Sequence, residues 1–226
     1  MMISPDGFYA ANLEGKTPEQ ILTVIRSLKR KINRLKYTLE HPDYTPGMCP
    51  GKDVQLSCTR DYLECAKQAL VDAGGIYTPT AAEQKAADID ANLPYVSRVR
   101  FDIGGYFVGS EVKIITINGD RIYAHAIHSQ FPIALDTDEA KTVDMDIDKD
   151  TFLAALKDLH PGEWRHRYDP QRFGYMVCDG TQWELEISFS NGHKPVKIYG
   201  NNAAPYNFDQ ILELFDVDSR WSYQEK

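Results

Sequence analysis

The 226-residue chain contains no run approaching the roughly 20 consecutive apolar residues that a bilayer-spanning helix needs. Its opening residues, "MMISPDGFYA", lack a basic stretch followed by an apolar core, so no secretion signal is read there and a cytosolic protein is expected. Cysteine is scarce. The four residues Cys49, Cys58, Cys65 and Cys178 form no Cys-x-x-Cys pair, and in the cytosol they are expected to be reduced. Positive charge is also in deficit: 25 Lys and Arg against 33 Asp and Glu leave a net charge of −8, which disfavours general nucleic-acid binding. No glycine cluster precedes a Gly-Lys-Ser/Thr, which excludes a P-loop. What remains is 42% apolar and 11% aromatic, too rich in both for a disordered chain.

The clearest structural signal is "TPEQILTVIRSLKRKINRLKYTLEH". Thr17 and Gln20 form a capping box, Pro18 occupies the first helical position, and Ile21, Ile25, Leu28, Ile32, Leu35 and Leu39 make one stripe. Pro42 disfavours helix at His41. A second helix is expected in "SCTRDYLECAKQALVDAGG", with Leu63, Ala66, Leu70 and Ala73 inward and Gly74 or Gly75 as the stop. The pair predicts an antiparallel helical hairpin. Residues 17–40 carry six Lys and Arg against two Glu, spread around the non-core surface as a solvated face. Within them Arg30, Lys31 and Arg34 offer the thinner alternative of a phosphate contact. The connection "HPDYTPGMCPGKDVQL" (41–56) is longer than the ~2–8 residues usual between paired helices and is a candidate interaction loop. His41, Cys49, Cys58 and Cys65 do not have the spacing of a zinc site, so no metal or other cofactor is expected.

After "TAAEQKAADIDANL", a short helix with Thr80 and Glu83 as its capping box, the apolar period changes to two. Val99, Phe101 and Ile103 alternate with Arg98, Arg100 and Asp102; "GGYFVG" turns the chain into "EVKIITI", and "NGD" turns it again into "RIYAHAIH". His125 and His128 are three apart on a strand, so they face opposite ways and cannot share a metal. In "TVDMDIDKD" Asp144, Asp146, Asp148 and Asp150 alternate with Val143, Met145 and Ile147, as on the wet side of a half-buried strand. An EF-hand is excluded because Lys149 and Ala155 stand where its Gly and Glu should be. Asp148 or Asp150 is expected to start the helix "TFLAALKDLH".

"PGEWRHRYDPQRFGY" is the best surface candidate. It carries Trp164, Arg165, His166, Arg167, Tyr168, Arg172 and Phe173, and aromatic residues and arginine dominate binding hot spots. The opposing reading buries Trp164, Tyr168 and Phe173 under the loop. Further on, Asp179-Gly180 and Asn191-Gly192 predict hairpin turns around the strand Trp183, Leu185, Ile187, Phe189, with Val196 and Ile198 closing a meander. Asn207 is expected to cap the last helix with Gln210 as its partner and Tyr206 stapled onto Ile211.

"DGTQWELEISFSNGHKPVKIYGNNAAPYNF" resembles the C-terminal part of a set of bacterial proteins with no assigned activity. Its Trp-x-Leu-x-Ile strand, Asn-Gly turn and Pro-x-Asn-Phe loop carry the likeness, strongest over 175–215. "CTRDYLECAKQAL" is similar to the matching helix of that set. The resemblance implies a bacterial, intracellular protein and supplies no catalytic residues.

The sequence therefore predicts an α+β protein: a helical hairpin unit over 1–76, then a mainly antiparallel β-sheet with two packed helices over 77–226. No nucleophile with its base and no metal-ligand spacing emerges. The leading functional expectation is a non-catalytic, cytosolic protein-binding module. Asp144, Asp146 and Asp148 would form an acidic surface mimicking nucleic acid toward a defence protein. The alternative is a small-ligand protein or enzyme using the 164–173 connection, with His125 or His166.

Overall fold

The computed structural model describes residues 3–47, 49–105, 109–129, 141–144, 147–177 and 179–217, with backbone alone at 128–129 and 141–144. Two compact units divide between Pro79 and Thr80.

In the first unit the Thr17 hydroxyl accepts from the Gln20 N–H while the Gln20 side chain accepts from the Thr17 N–H at 3.0 Å. This reciprocal cap opens α2 (Pro18–Leu39), whose Ile21, Ile25, Leu28, Ile32 and Leu35 are all buried. The stripe is covered by α3 (Lys52–Asp72), so the two helices form the expected hairpin. α3 begins five residues before Ser57, the expected start, which shortens the irregular connection; its buried side includes Leu56, Thr59, Tyr62 and Ala69, while Ala73 is exposed. Ser57, Cys58 and Thr59 lie inside the helix, and the Thr59 hydroxyl donates to the Gln55 carbonyl at 2.6 Å. A helix not foreseen from sequence, α1 (Pro5–Asn12), stacks Phe8 on Tyr62 with ring centroids 4.4 Å apart.

The second unit opens with α4 (Ala81–Asn92), capped by Thr80 and Glu83 as expected. Seven strands follow: β1 (Val96–Gly105), β2 (Gly109–Asn118), β3 (Arg121–Ser129), β4 (Lys141–Asp144), β5 (Arg167–Tyr168), β6 (Thr181–Phe189) and β7 (Val196–Asn201). Their order is β4-β3-β2-β1-β6-β7-β5, antiparallel throughout except where β5 runs parallel to β7. Helix α5 (Lys149–Asp158) follows β4 in sequence and leads to the β5 edge, and α6 (Phe208–Leu214) closes the described chain.

Strand periodicity sorts the side chains. Phe101 of β1 is fully buried, with Phe215, Phe208 and Trp183 ring centroids at 5.3, 6.1 and 6.5 Å. Leu185, Ile187 and Ile198 extend this core across β6 and β7. The Trp183 indole N–H donates to the Ala203 carbonyl at 3.0 Å. It lies so close over Gly200 that a Cβ there would coincide with the ring, which is why β7 carries glycine at this position. At Gly162 a Cβ would meet the backbone of Ala86, so the 161–163 turn presses directly on α4.

Two local expectations are corrected. Asn207 makes no capping bond to α6; its side-chain amide is buried and donates to the Leu159 carbonyl at 2.9 Å, tying the start of α6 to the end of α5. Residues 175–177 form no strand, so Asp179-Gly180 is not the turn of a hairpin among the described residues, and β6 pairs with β1 and β7.

Candidate functional site

The side of the sheet that meets α5 and α6 is filled unevenly. In β1 it presents Val99, Phe101 and Ile103; their register partners in β2 are Ile115, Lys113 and Glu111. Ile115 and Lys113 are in turn opposite Ala124 and Ala126 of β3. Across three strands the row at Phe101 thus shrinks from an aromatic ring to a methyl group. The space left open is a groove of about 810 Å³, floored by Ile115, Ala124 and Ala126 and walled by Ala155, Leu159 and Phe215.

Few polar groups enter this groove. Lys113 reaches it from the floor, its ammonium 3.4 Å from the carboxylate of Glu111, which is only 4% exposed. A buried carboxylate without this partner would be costly, and the attraction of the Lys113 ammonium offsets the desolvation that Glu111 suffers. At the rim stand Asp158, the last residue of α5, and Glu213 and Asp216 at the end of α6, all exposed. Among the described residues none of these three carboxylates has a salt-bridge partner. Helix C-termini carry partial negative charge, and acidic side chains there add to it.

On the opposite side β2 presents buried Val112 and Ile114, while β1, β6 and β7 carry paired charges. Arg100 donates to Asp102 at 3.0 Å, and Lys197 pairs with Glu186 at 3.1 Å. Asp102 and Glu184 are direct cross-strand neighbours. Burial pushes the Asp102 carboxyl above its usual range, opposed by Arg100 and reinforced by Glu184. Among the described residues these two carboxylates in register are the nearest approach to an acid–base pair, but Arg100 is already committed to Asp102 and Lys197 to Glu186.

The nominated residues do not come together. Asp144 ends β4 in register with Tyr123, Asp146 lies outside the described residues, and Asp148 is the N-cap of α5. The Asp148 carboxylate accepts from the Thr151 N–H at 2.9 Å and from its hydroxyl at 2.6 Å, and these bonds hold its pKa below the ordinary aspartate range. Trp164 and Tyr168 are buried in the core, as the opposing reading of the connection had it, but Phe173 is only half-buried, and Arg165, His166 and Arg167 are exposed. Arg172 is half-buried and lies over the Phe173 ring at 4.9 Å. β4 and β5 occupy opposite edges of the sheet, six strand spacings or about 29 Å apart, so the acidic and the aromatic–arginine candidates belong to separate surfaces. His125 is in register with Ile114 in the sheet, and the His166 ring lies 5.4 Å from that of Tyr199.

Sequence reasoning passed over Glu111, Lys113, Asp158, Glu213 and Asp216. The available signal was the alternation in "YAHAIH": two alanines at inward positions of a strand whose neighbours carry large residues mark missing volume.

Among the described residues no three His, Cys, Asp or Glu side chains come together as a metal site, and no helix is long and apolar enough to cross a membrane. Comparison of the chain with family models, with curated proteins and with solved structures returns no match.

Proposed function

We propose that the α+β unit is a small-molecule-binding domain and that the groove over β2 and β3 is its site. One observation carries this reading: Ala124 and Ala126 stand in register with a row of large core residues and leave about 810 Å³ open beside them. Small-molecule sites span roughly 300–1,000 Å³, with apolar walls and a few placed polar groups. The apolar stripe of α2 is not free for a partner, since it is buried within its own unit. A thermal-shift screen with compact apolar-bodied compounds tests the reading. Hits should stabilise the native protein and lose that effect in Ala124→Phe, which fills the groove; hits indifferent to the filling contradict it.

A second reading keeps the protein-binding module, at the β5 edge. It is favoured by exposed Arg165 and His166 leading into exposed Arg167 of the short edge strand β5, together with exposed Tyr175, Met176 and Val177. A partner recovered with the native chain and lost with Arg165→Glu/Arg167→Glu supports it; recovery unchanged by the reversal counts against it.

A further inference from the structure

We propose that the groove selects a cation: an alkylammonium group on a compact apolar body, with the ammonium at the rim formed by Asp158, Glu213 and Asp216 and the body over Ala124 and Ala126. This rests on the small-molecule reading above and specifies the charge of the ligand.

The argument is one of charge balance. Three carboxylates face one ammonium along the groove, and that ammonium, Lys113, already has the carboxylate of Glu111 at 3.4 Å. The cations that flank Asp158 in sequence, Lys157 and His160, both act on the Asp90 carboxyl, lowering a pKa that burial raises. The rim also coincides with the C-terminal ends of α5 and α6, where the aligned peptide dipoles give each helix a negative pole. Acidic side chains at such ends are unfavourable for the isolated helix, and α6 has no basic residue in its last turn to offset them. A bound ammonium relieves both the carboxylate repulsion and the helix poles. An anion would have to approach Lys113 past three negative charges and displace Glu111 from it. A purely neutral ligand would use the floor but leave the rim uncompensated.

Shape limits the choice further. Apart from Lys113, already paired with Glu111, the floor is made of methyl groups and the Ile115 side chain, which offer contact area and no hydrogen bonds, so the body is alicyclic, aromatic or branched aliphatic rather than a polyhydroxylated one. Long flexible polyamines are excluded on the same ground, because their charges would have to lie on the apolar floor.

Three probes with one body separate the possibilities: cyclohexylmethylamine, cyclohexylmethanol and cyclohexanecarboxylate, titrated into the full chain by calorimetry at low salt. The amine is expected to bind at least about fivefold more tightly than the alcohol, and the carboxylate more weakly than either. Glu213→Gln combined with Asp216→Asn should weaken the amine about five- to tenfold and leave the alcohol unchanged. Both substitutions are at exposed sites, and asparagine tolerates the left-handed backbone of residue 216, where φ is 48°. Equal or tighter binding of the alcohol or the carboxylate, abolished by Ala126→Leu, overturns the charge assignment while leaving the small-molecule reading standing. Failure of all three probes to bind, or binding unaffected by both Ala126→Leu and Ala124→Phe, overturns the two together.

Discussion

The helix-facing side of the sheet has two halves built from the same strand periodicity but with different outcomes. Over β1, β6 and β7 the inward residues are Phe101, Trp183, Leu185 and Ile198, and the rings of Phe208 and Phe215 close on them. Over β2 and β3 Ile115, Ile117 and Ile122 belong to the core, but Lys113, Ala124 and Ala126 continue the rows of Phe101 and Val99, and there the same two helices leave a groove. The difference shows that alternation alone sets which way a side chain points; its volume decides whether the space is core or cavity. A half-sheet that selection had shaped only for stability would be expected to fill such a space, since lost contacts are costly in a close-packed interior.

The largest effect should appear when the filled half is emptied. Phe101→Ala removes the ring at the centre of three aromatic contacts and should cost about 3–5 kcal/mol. Tryptophan fluorescence during denaturant unfolding reads this unit specifically, because all three tryptophans, Trp164, Trp183 and Trp221, lie beyond residue 80.

Next comes the charge pair at the boundary between the halves. Glu111→Gln strands the Lys113 ammonium and should cost about 1–3 kcal/mol. Adding Lys113→Met should recover most of the loss, since two apolar neighbours replace a broken pair. No recovery in the double variant would mean that Glu111 acts through packing instead of charge.

On the opposite side of the sheet the effect is smaller and depends on pH. The Asp102 carboxyl has a native pKa above the ordinary 3.8, so the native state holds its proton more tightly than the unfolded chain does. Its contribution to stability therefore falls as pH rises from the ordinary value through the native one. Asp102→Asn removes that slope, and the stability of the variant relative to the native chain should increase across the same window. Unfolding curves at steps between about pH 3.5 and 7 check the sign.

The smallest effect is expected where the open half is partly filled. Ala126→Leu adds volume to existing space and should change stability by under about 0.5 kcal/mol. A loss of about 2 kcal/mol or more would mean that no usable space exists there.

Much of the scaffold was legible in the sequence because it follows from local rules. The capping boxes at Thr17 and Thr80, the α2 stripe and the alternation of Val99, Phe101 and Ile103 each depend on residues a few positions apart. The start of α3 was misjudged because Gly51 supplies no capping side chain and Ser57 offered a stronger signal. Asn207 looked like a cap because its residue type and position fit one, yet a carbonyl 48 residues away competes for its amide. The groove was hidden for a related reason. Its walls come from β2, β3, α5 and α6, and only the register that brings Ala126 opposite Lys113 reveals the missing volume. The aromatic–arginine connection stood out by composition, but composition could not divide it into buried Trp164 and Tyr168 and exposed Arg165, His166 and Arg167.

The most direct test is a methyl-resolved NMR titration of the full chain, labelled at alanine and isoleucine, with cyclohexylmethylamine. The account predicts saturable shifts at Ala124, Ala126 and Ile115, with Ile187 and Ile198 of the filled half unmoved. Shifts confined to the filled half or to the helical unit, or no saturable shift at any labelled methyl, would contradict it.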